Sequence, residues 1–489
     1  MQTLGIVRGP NRTGSPLSAL SRYAAVLGGG LLLSACAMIS PDGGMETVAG
    51  IAGGDLRKDI VAVRTEADSD AARATVTRLL RRPLSVDAAV QVALLNNRTL
   101  QAAYNELGIA EAVRVEASLP PNPTFSVERL ASRGTLELEG RIIGNILALA
   151  TLPARAEMAT DRFRQAQLRA AEETLRLAAE TRRSYYRAVA AGETARFLAE
   201  ANEAAATAAK LSRRLGETGA MNKLDQAREQ VFYAETTGDL ARARQAASSA
   251  RERLARLMGL WGRDLAFRLP GALPPLPRRA QRLPDVEVDA IRRRVDLQIA
   301  RIDVQALAKS YGLTNATRFL NLLELAGIAK NTKDRATGEI ERERGFEVEF
   351  QIPLFDFGEA RVRRAEESYR QAVNRLAQKA IDVRSEARDA YRRYRTAYDV
   401  AAHYRREVLP LRKIISDEML LRYNAMQVDV FALLTEARQR IAATMKAIDA
   451  QRDFWLAATD LGAAVTGGGA GGSPDSPQMT AAAAEGGGH

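Results

Sequence analysis

Alternating apolar and polar residues mark a strand in the second half of the chain. In the stretch 345–354, apolar side chains recur at every second position from Phe346, whereas Glu347 and Glu349 occupy positions between them. This period of two predicts a strand with one apolar and one polar face. After Pro353 the pattern changes to a charged, alanine-rich period that is typical of a helix. The pattern therefore predicts a strand that leads directly into a helix.

Internal similarity divides the chain into two copies of one pattern. Leu100-Gln101 recurs as Leu297-Gln298, and Gly259 recurs as Gly462, about two hundred residues further on. Each copy predicts a helix, two short strands and a long helical hairpin, which makes the fold mainly α with a small β part. The predicted organisation is a signal peptide, a tether, repeat 1, a Pro-rich linker, repeat 2 and a disordered tail, at 1–35, 36–82, 83–264, 265–284, 285–465 and 466–489.

The two repeats share the same order of elements. The pattern predicts strand regions at about 124–150 and 319–354, first helices capped by Ser85 and Asp285, and long helical hairpins at 154–264 and 359–465. Pro153 and Pro353 mark the predicted strand–helix junctions. The first long helix, from Ala154 to about Leu215, would span roughly 90 Å, and its near-heptad apolar spacing predicts an alanine-rich coiled coil.

Glycine and short polar stretches interrupt each long helical pattern once. The breaks fall at Gly216 and Gly219 in repeat 1 and at Tyr423, Asn424 and Ala425 in repeat 2. A helical period resumes after each break, so two antiparallel hairpins with their ends at these residues are predicted.

The N-terminus has the organisation of an export signal. Arg8, Arg12 and Arg22 precede a short apolar run at 23–33, and Cys36 follows directly. This order resembles a bacterial lipoprotein signal, which implies a covalent lipid such as palmitate on Cys36 and, with alanine as the next residue, the outer membrane. The alternative is a lone buried thiol in a cytoplasmic protein. No later apolar run is long enough for a spanning helix.

Composition changes this picture little. The formal charge is +11, but the arginines alternate with glutamates at helical spacing, which is typical of solvated helix faces and does not predict a nucleic-acid site. Aromatic residues make up only 5% of the chain. With Cys36 as the only cysteine and His403 as the only internal histidine, the sequence predicts no catalytic triad, metal site or further cofactor.

Four strands are too few to close a barrel in a membrane. The smallest membrane barrels have about eight strands, and open sheet edges do not persist in lipid. If these strands enter a bilayer, several chains must contribute them, and two, three or four copies would supply about eight, twelve or sixteen strands.

The sequence resembles the TolC family of outer-membrane efflux proteins, the outer membrane factors. The motifs that carry the resemblance are the signal ending at Cys36, Pro121-Asn122-Pro123 before the first strand, 352–358 before an Arg-rich helix, 422–426 and 460–462. The resemblance implies a homotrimer in which a twelve-strand barrel continues as a periplasmic helical tunnel. It also implies that the hairpin ends dock on a periplasmic adaptor of an inner-membrane pump, for efflux of small molecules or ions.

The resemblance also implies an acidic gate at the periplasmic entrance, and here the sequence departs from it. The usual acidic positions after the second hairpin end correspond to Ala432 and Thr435. Asp225, Asp429 and Glu436 lie nearby, so we expect a substitute gate in which arginines hold these carboxylates. Ordinary surface ion pairs are the alternative.

One other class of function remains open. A lipid-anchored periplasmic coiled-coil scaffold would also need long helices, but it would have no use for the alternating strand at 345–354.

Overall fold

The computed structural model describes residues 39–320, 322–351, 353–467 and 469. The signal peptide, Cys36 and nearly all of the predicted tail lie outside the described residues. Within them, the chain forms two units. One unit contains the strands and is built from 110–160 and 313–361, and the other contains most of the helical residues.

The helices follow the order that the sequence predicts, with additional short helices near the N-terminus. In chain order they are α1 Met45–Val48, α2 Gly54–Leu56, α3 Glu66–Leu80, α4 Val86–Asn96, α5 Arg98–Ser118, α6 Ile146–Ala150, α7 Leu152–Glu217, α8 Lys223–Leu257, α9 Val286–Arg293, α10 Val295–Ala316, α11 Glu359–His403, α12 Leu409–Asn424 and α13 Val430–Thr466. A π-helical segment, Tyr404–Val408, joins α11 to α12. No helix in the described part of the chain is both long and apolar enough to cross a membrane.

Four antiparallel strands form one sheet. They are β1 Thr124–Ala131, β2 Thr135–Asn145, β3 Leu323–Asp334 and β4 Ile340–Phe350, and they lie side by side in chain order. The strands of the two repeats therefore meet where β2 pairs with β3. Because β1 and β4 each have one strand neighbour, both sheet edges are open.

The first helix of each repeat is interrupted. Helix α4 ends at Asn96, and α5 begins after Asn97; in repeat 2, Arg294 separates α9 from α10. The sequence predicted one continuous helix in each place. Ser85 caps α4 by accepting a hydrogen bond from Ala88 N, as predicted, whereas Asp285 makes no side-chain cap bond.

The chain directly after the second helix of each hairpin contacts this interruption. Asn96 Nδ2 donates to Gly259 O at 2.7 Å, and a Cβ on Gly259 would lie 2.5 Å from Asn96 O. At the matching place in repeat 2, a Cβ on Gly467 would lie 3.0 Å from Val295 N. The structural counterpart of Gly259 is thus Gly467, and the predicted match with Gly462 is wrong because Gly462 lies inside α13.

The segment expected to be a tether is folded. It forms α1, α2 and α3, and its apolar side chains are buried in the main core of the helical unit, including Val48, Ala52, Leu56 and Val76. Thr65 and Asp68 form a capping box at the start of α3. Few apolar residues are enough here because each packs against α4, α5 or α7 side chains in the same cluster.

The long hairpins agree with the prediction. Helix α7 comprises 66 residues, and the predicted heptad positions Leu168, Ala171, Leu175 and Ala178 are all buried. The Pro-rich linker contains one short 3-10 helix at its start, Gly262–Ala266, and no other helix or strand up to residue 284.

Candidate functional site: the sheet faces and the hairpin ends

The sheet carries most of its large apolar side chains on one face. Paired residues of antiparallel strands point to the same side, and successive residues alternate between sides. The register therefore aligns Phe125 with Ile142 and Phe346, and it aligns Leu325 with Val348. We call this side the apolar face; its large apolar residues are Phe125, Val127, Leu136, Leu138, Ile142, Leu323, Leu325, Ile340, Phe346, Val348 and Phe350.

The opposite side, which we call the acidic face, carries every acidic residue of the four strands. These are Glu128, Glu137, Glu139, Glu324, Asp334, Glu341, Glu343, Glu347 and Glu349. The alternation in the sequence had indicated Glu347 and Glu349, and the register adds the others. Acidic side chains thus outnumber the basic ones there, Arg141 and Lys330.

Both basic residues of the acidic face are in ion pairs. Arg141 contacts Glu139 at 2.9 Å and Glu347 at 3.5 Å, which links β2 with β4. Lys330 contacts Glu137 at 3.2 Å. The remaining carboxylates keep the face strongly negative.

The exposure of β3 differs between the two faces of the sheet. Leu325 and Lys333 on the apolar face are exposed, whereas Glu324, Lys330 and Asp334 on the acidic face are half-buried. Phe346 on the apolar face is 80% exposed, so this face presents large apolar groups outward.

The two strand–helix junctions differ. Pro153 lies in the first turn of α7, one residue after its start, and α6 separates that helix from β2. Pro353 lies between β4 and α11, where residues 351 and 353–358 are not helical. The predicted direct passage from strand to helix is therefore wrong in repeat 2, whereas in repeat 1 β2 leads directly into α6.

The second junction is held by contacts with the end of α10. Gly358 has φ +77°, and a Cβ there would lie 2.5 Å from Arg318 O, which also accepts a hydrogen bond from Arg361 Nη2 at 3.1 Å. Gly358 N donates to Asp356 Oδ1 at 2.8 Å. This close backbone approach excludes a helical start before Glu359.

The first hairpin end is a tight turn between α7 and α8. Gly219 has φ +76°, which the turn requires, whereas Gly216 lies within α7 and makes room for Gln226: a Cβ on Gly216 would lie 1.6 Å from Gln226 Nε2. Asp225 lies in the first turn of α8 and pairs with Arg228 at 3.3 Å.

The second hairpin end lies between α12 and α13. Tyr423 and Asn424 end α12, Ala425 is its C-cap, and Met426 adopts φ +59° with its side chain 94% exposed. Asp429 is the N-cap of α13 and accepts a hydrogen bond from Ala432 N at 2.8 Å. Its carboxylate therefore serves as a helix cap.

Glu436 does not lie with the other two candidate gate residues on the surface. Its side chain is 7% exposed and pairs with Arg412 of α12 at 3.1 Å. The carboxylate of Glu436 is thus buried within the hairpin and held by an arginine.

Comparisons with known proteins agree with this geometry. Residues 287–416 match the outer membrane efflux protein family. Among solved structures, CusC has a TM-score of 0.65 at 18% identity, with 78% of this chain and 91% of that chain covered. The CmeC outer membrane channel of Campylobacter jejuni gives 0.64 at 17%, with 78% and 86% covered, and the open MtrE channel of Neisseria gonorrhoeae gives 0.62 at 15%, with 79% and 89% covered. The family match is thus confined to residues 287–416, and over most of its length the chain shares the fold of these solved channels.

At these identities the solved structures show a shared fold, and the family is one of transport channels and not of enzymes. Comparison with curated proteins gives no sequence match. The family segment covers α10, β3, β4 and α11 completely, so it includes half of the sheet and the second junction.

Sequence reasoning missed several contacts at the hairpin ends. The two hairpins touch through cation–π contacts: Arg228 lies over Phe431 at 4.4 Å, and Arg438 lies over Phe232 at 4.9 Å. Glu229, next to Arg228, is 3% exposed. The sequence around Arg228 and Glu229 has no hydrophobic period that distinguishes a buried glutamate from a solvated one.

Proposed function

We propose that three copies of this chain form the outer-membrane channel of a tripartite efflux system. Each copy would add four strands to a twelve-strand barrel and two helical hairpins to a periplasmic tunnel, through which small molecules or ions pass to the exterior. The chain itself would catalyse no reaction.

The sheet carries this proposal. It has two open edges, an exposed apolar face and an acidic face, and its strands alternate between the two faces. In water the apolar face would be a liability, whereas in a bilayer the open edges would be. Closing several sheets into one barrel resolves both problems, because β1 of each copy pairs with β4 of the next and the acidic faces line a wet lumen. The resemblance to the TolC family favours three copies.

A lipid-anchored scaffold is the alternative, and the exposed aromatic residues Phe346 and Phe350 disfavour it. The two functions differ in a membrane experiment. The channel should fractionate with outer membranes as a heat-modifiable trimer, and the purified trimer should conduct ions in planar bilayers. A soluble monomer after removal of the lipid would support the scaffold.

Cys36 supplies the proposed lipid anchor. Labelled palmitate should be incorporated into the full-length chain and not into Cys36→Ser. If both chains were labelled equally, the anchor would lie elsewhere.

The hairpin ends are the proposed contact with a periplasmic adaptor. Gly219 and Met426 shape these two ends, and the side chain of Met426 projects into solvent. Exposed methionine is an adaptable apolar contact. Cross-linking from a cysteine at Met426 to a candidate adaptor should therefore exceed cross-linking from a cysteine at Asp70, which lies in α3.

A gate formed by Asp225 and Asp429 is the proposed control of the entrance. Carboxylates that surround a narrow opening attract cations and oppose anions. Because Asp429 caps α13, the informative change is Asp429→Asn, which keeps the cap and removes the charge. We expect Asp225→Asn combined with Asp429→Asn to change single-channel conductance and lower its cation preference. Unchanged conductance and preference would leave both residues with structural roles only.

A further inference from the structure

The apolar face of the sheet also carries basic residues, and they lie in adjoining rows. Arg344 is in the row of Val127, Arg129 and Arg342 are in the next row, and Lys333 is in the row after that. These rows lie at the end of the sheet where turns join β1 to β2 and β3 to β4, away from the strand ends that lead to helices. We call Arg129, Lys333, Arg342 and Arg344 the basic rows.

The basic rows have no acidic counterpart. No strand residue on the apolar face is acidic, and none of the four basic side chains takes part in an ion pair within the described residues. On the acidic face, by contrast, Arg141 and Lys330 are both paired. The basic rows therefore present uncompensated positive charge on the apolar face, directly beside large apolar side chains.

The distance between the aromatic row and the basic rows fits the distance from the hydrocarbon layer to the lipid headgroups of a bilayer. Two residues along a strand span about 6.7 Å, so Arg344 lies roughly that far beyond the row of Phe125 and Phe346. If the aromatic row lies in the hydrocarbon layer, the basic rows reach the depth of the lipid headgroups. Arginine binds phosphate through two parallel hydrogen bonds, which suits it to this position.

The sheet edges strengthen the pattern. Arg129 lies on β1 and both Arg342 and Arg344 lie on β4, which are the two edge strands. Closure of a barrel pairs β1 of one copy with β4 of the next. Arg129 of one copy and Arg342 and Arg344 of the next would then lie on adjacent strands at each seam between protomers, with the stagger of the closed barrel setting their offset along the strands.

We propose that the basic rows bind the phosphate groups of an anionic membrane lipid, whose acyl chains lie against the apolar face, at each seam of the trimer. This proposal rests on the proposed function, because it needs the sheet to be in a bilayer. A basic side chain near a membrane surface contributes a severalfold preference for an anionic lipid, and clustered residues increase it.

The test measures lipid preference with the purified trimer in vesicles. Spin-labelled phosphatidylglycerol and spin-labelled phosphatidylcholine serve as probes, and the motionally restricted fraction of each gives their relative association with the protein. We expect the wild-type trimer to prefer phosphatidylglycerol about fivefold or more. Arg129→Gln combined with Arg342→Gln should reduce the preference to near unity.

Two matched variants separate lipid binding from charge and folding. Arg141→Gln combined with Lys330→Gln removes the same charge from the acidic face and should keep the preference. Arg129→Lys combined with Arg342→Lys keeps the charge and should keep most of the lipid preference. Comparison with this variant shows whether the glutamine variant lost lipid binding or only trimer assembly. Excess inorganic phosphate should not remove the preference of the wild-type trimer.

Several results would overturn this inference. They are equal association of both lipids with the wild-type trimer, loss of preference in the acidic-face variant alone, or full displacement by inorganic phosphate, which would indicate a site for free phosphate. A conducting trimer with no lipid preference contradicts only this inference, whereas failure to form conducting trimers contradicts the proposed function.

Discussion

Two buried glutamates occupy equivalent places in the two helical hairpins. Glu229 lies seven residues after Asn222, the N-cap of α8, and Glu436 lies seven residues after Asp429, the N-cap of α13. In each, one carboxylate oxygen is buried and accepts no hydrogen bond from the described residues, Oε2 in Glu229 and Oε1 in Glu436. They differ in compensation, because Arg412 pairs directly with Glu436, whereas Glu229 forms no ion pair with any described residue.

Glu229 should make the stability of the hairpins depend on pH. Burial raises the pKa of its carboxyl group, and the charge of Arg438 opposes this only partly. A raised pKa in the folded state means that the contribution to stability is greatest at low pH and falls as the pH rises through the folded pKa. We therefore expect Glu229→Gln to stabilise the protein at pH 7.5 and to have little effect near pH 4. Thermal unfolding of both proteins at the two pH values measures this.

Glu235→Gln is the matched control for this change. Glu235 lies on the same helix with its side chain 61% exposed, at 3.6 Å from Arg438. Removing an exposed partner should change stability little, with no comparable pH dependence. If Glu229→Gln shifted the unfolding temperature equally at both pH values, ionisation of Glu229 would not be the cause.

Gly358 should be the least replaceable glycine of the second junction. Gly358→Ala combines a positive φ with a Cβ at 2.5 Å from the backbone oxygen of Arg318. Gly338→Ala, in the turn between β3 and β4, has the same kind of φ, +75°, with no atom within 4 Å of its Cβ. We expect about 1 kcal/mol of destabilisation at Gly338 and clearly more at Gly358. Equal trimer yields and unfolding temperatures for the two variants would contradict the contact with Arg318.

At the scale of elements, the sequence predicted the features that follow a regular hydrophobic period along the chain. The period of two predicted the faces of β4, and the heptad spacing predicted the buried side of α7. The sequence did not predict the two junctions correctly, because Pro153 and Pro353 occupy matching positions in the repeats but have different neighbours. Leu152 and Ala154 allow Pro153 to enter the first helical turn, whereas Asp356 and Gly358 fix a turn after Pro353.

The folded segment before α4 escaped prediction for another reason. Its apolar residues are few and have no long period, so nothing local distinguishes it from a tether. Val48 and Ala52 are nevertheless fully buried, because α4, α5 and α7 provide an apolar surface for them. Burial that depends on a distant partner is not visible in a local pattern.

The two faces of β4 should tolerate charge very differently. Val348 lies on the apolar face and Glu349 on the acidic face, one residue apart. An arginine on the lipid side of a barrel costs about 2–4 kcal/mol near the bilayer midplane, whereas a lumen position is hydrated. We therefore expect Val348→Arg to lower the yield of membrane-inserted trimer far more than Glu349→Arg. Equal yields, measured on unheated gels of outer membranes, would count against the assignment of the faces.

The whole molecule has a charge distribution that composition conceals. The chain carries a formal charge of +11, yet one face of its sheet is dominated by carboxylates. The alternation of Glu347 and Glu349 with apolar residues indicated part of this face. The pairing of β2 with β3 supplied the rest, because only the register between the repeats places Glu137 and Glu139 on the side of Glu347 and Glu349. Charge separation between faces is thus a property of the assembled sheet.

The acidic face should give the channel a preference for cations. A lumen lined by carboxylates raises the local concentration of cations and repels anions, an effect that salt screens. Glu347→Gln combined with Glu349→Gln should lower the cation-to-anion permeability ratio at least about twofold at low salt, with a smaller change at high salt. Reversal potentials across planar bilayers in a salt gradient measure this ratio. Arg344→Gln, which alters charge on the opposite face, should leave the reversal potential unchanged. If the glutamine variant kept the wild-type reversal potential while Arg344→Gln shifted it, the lumen would lie on the side that we assign to lipid.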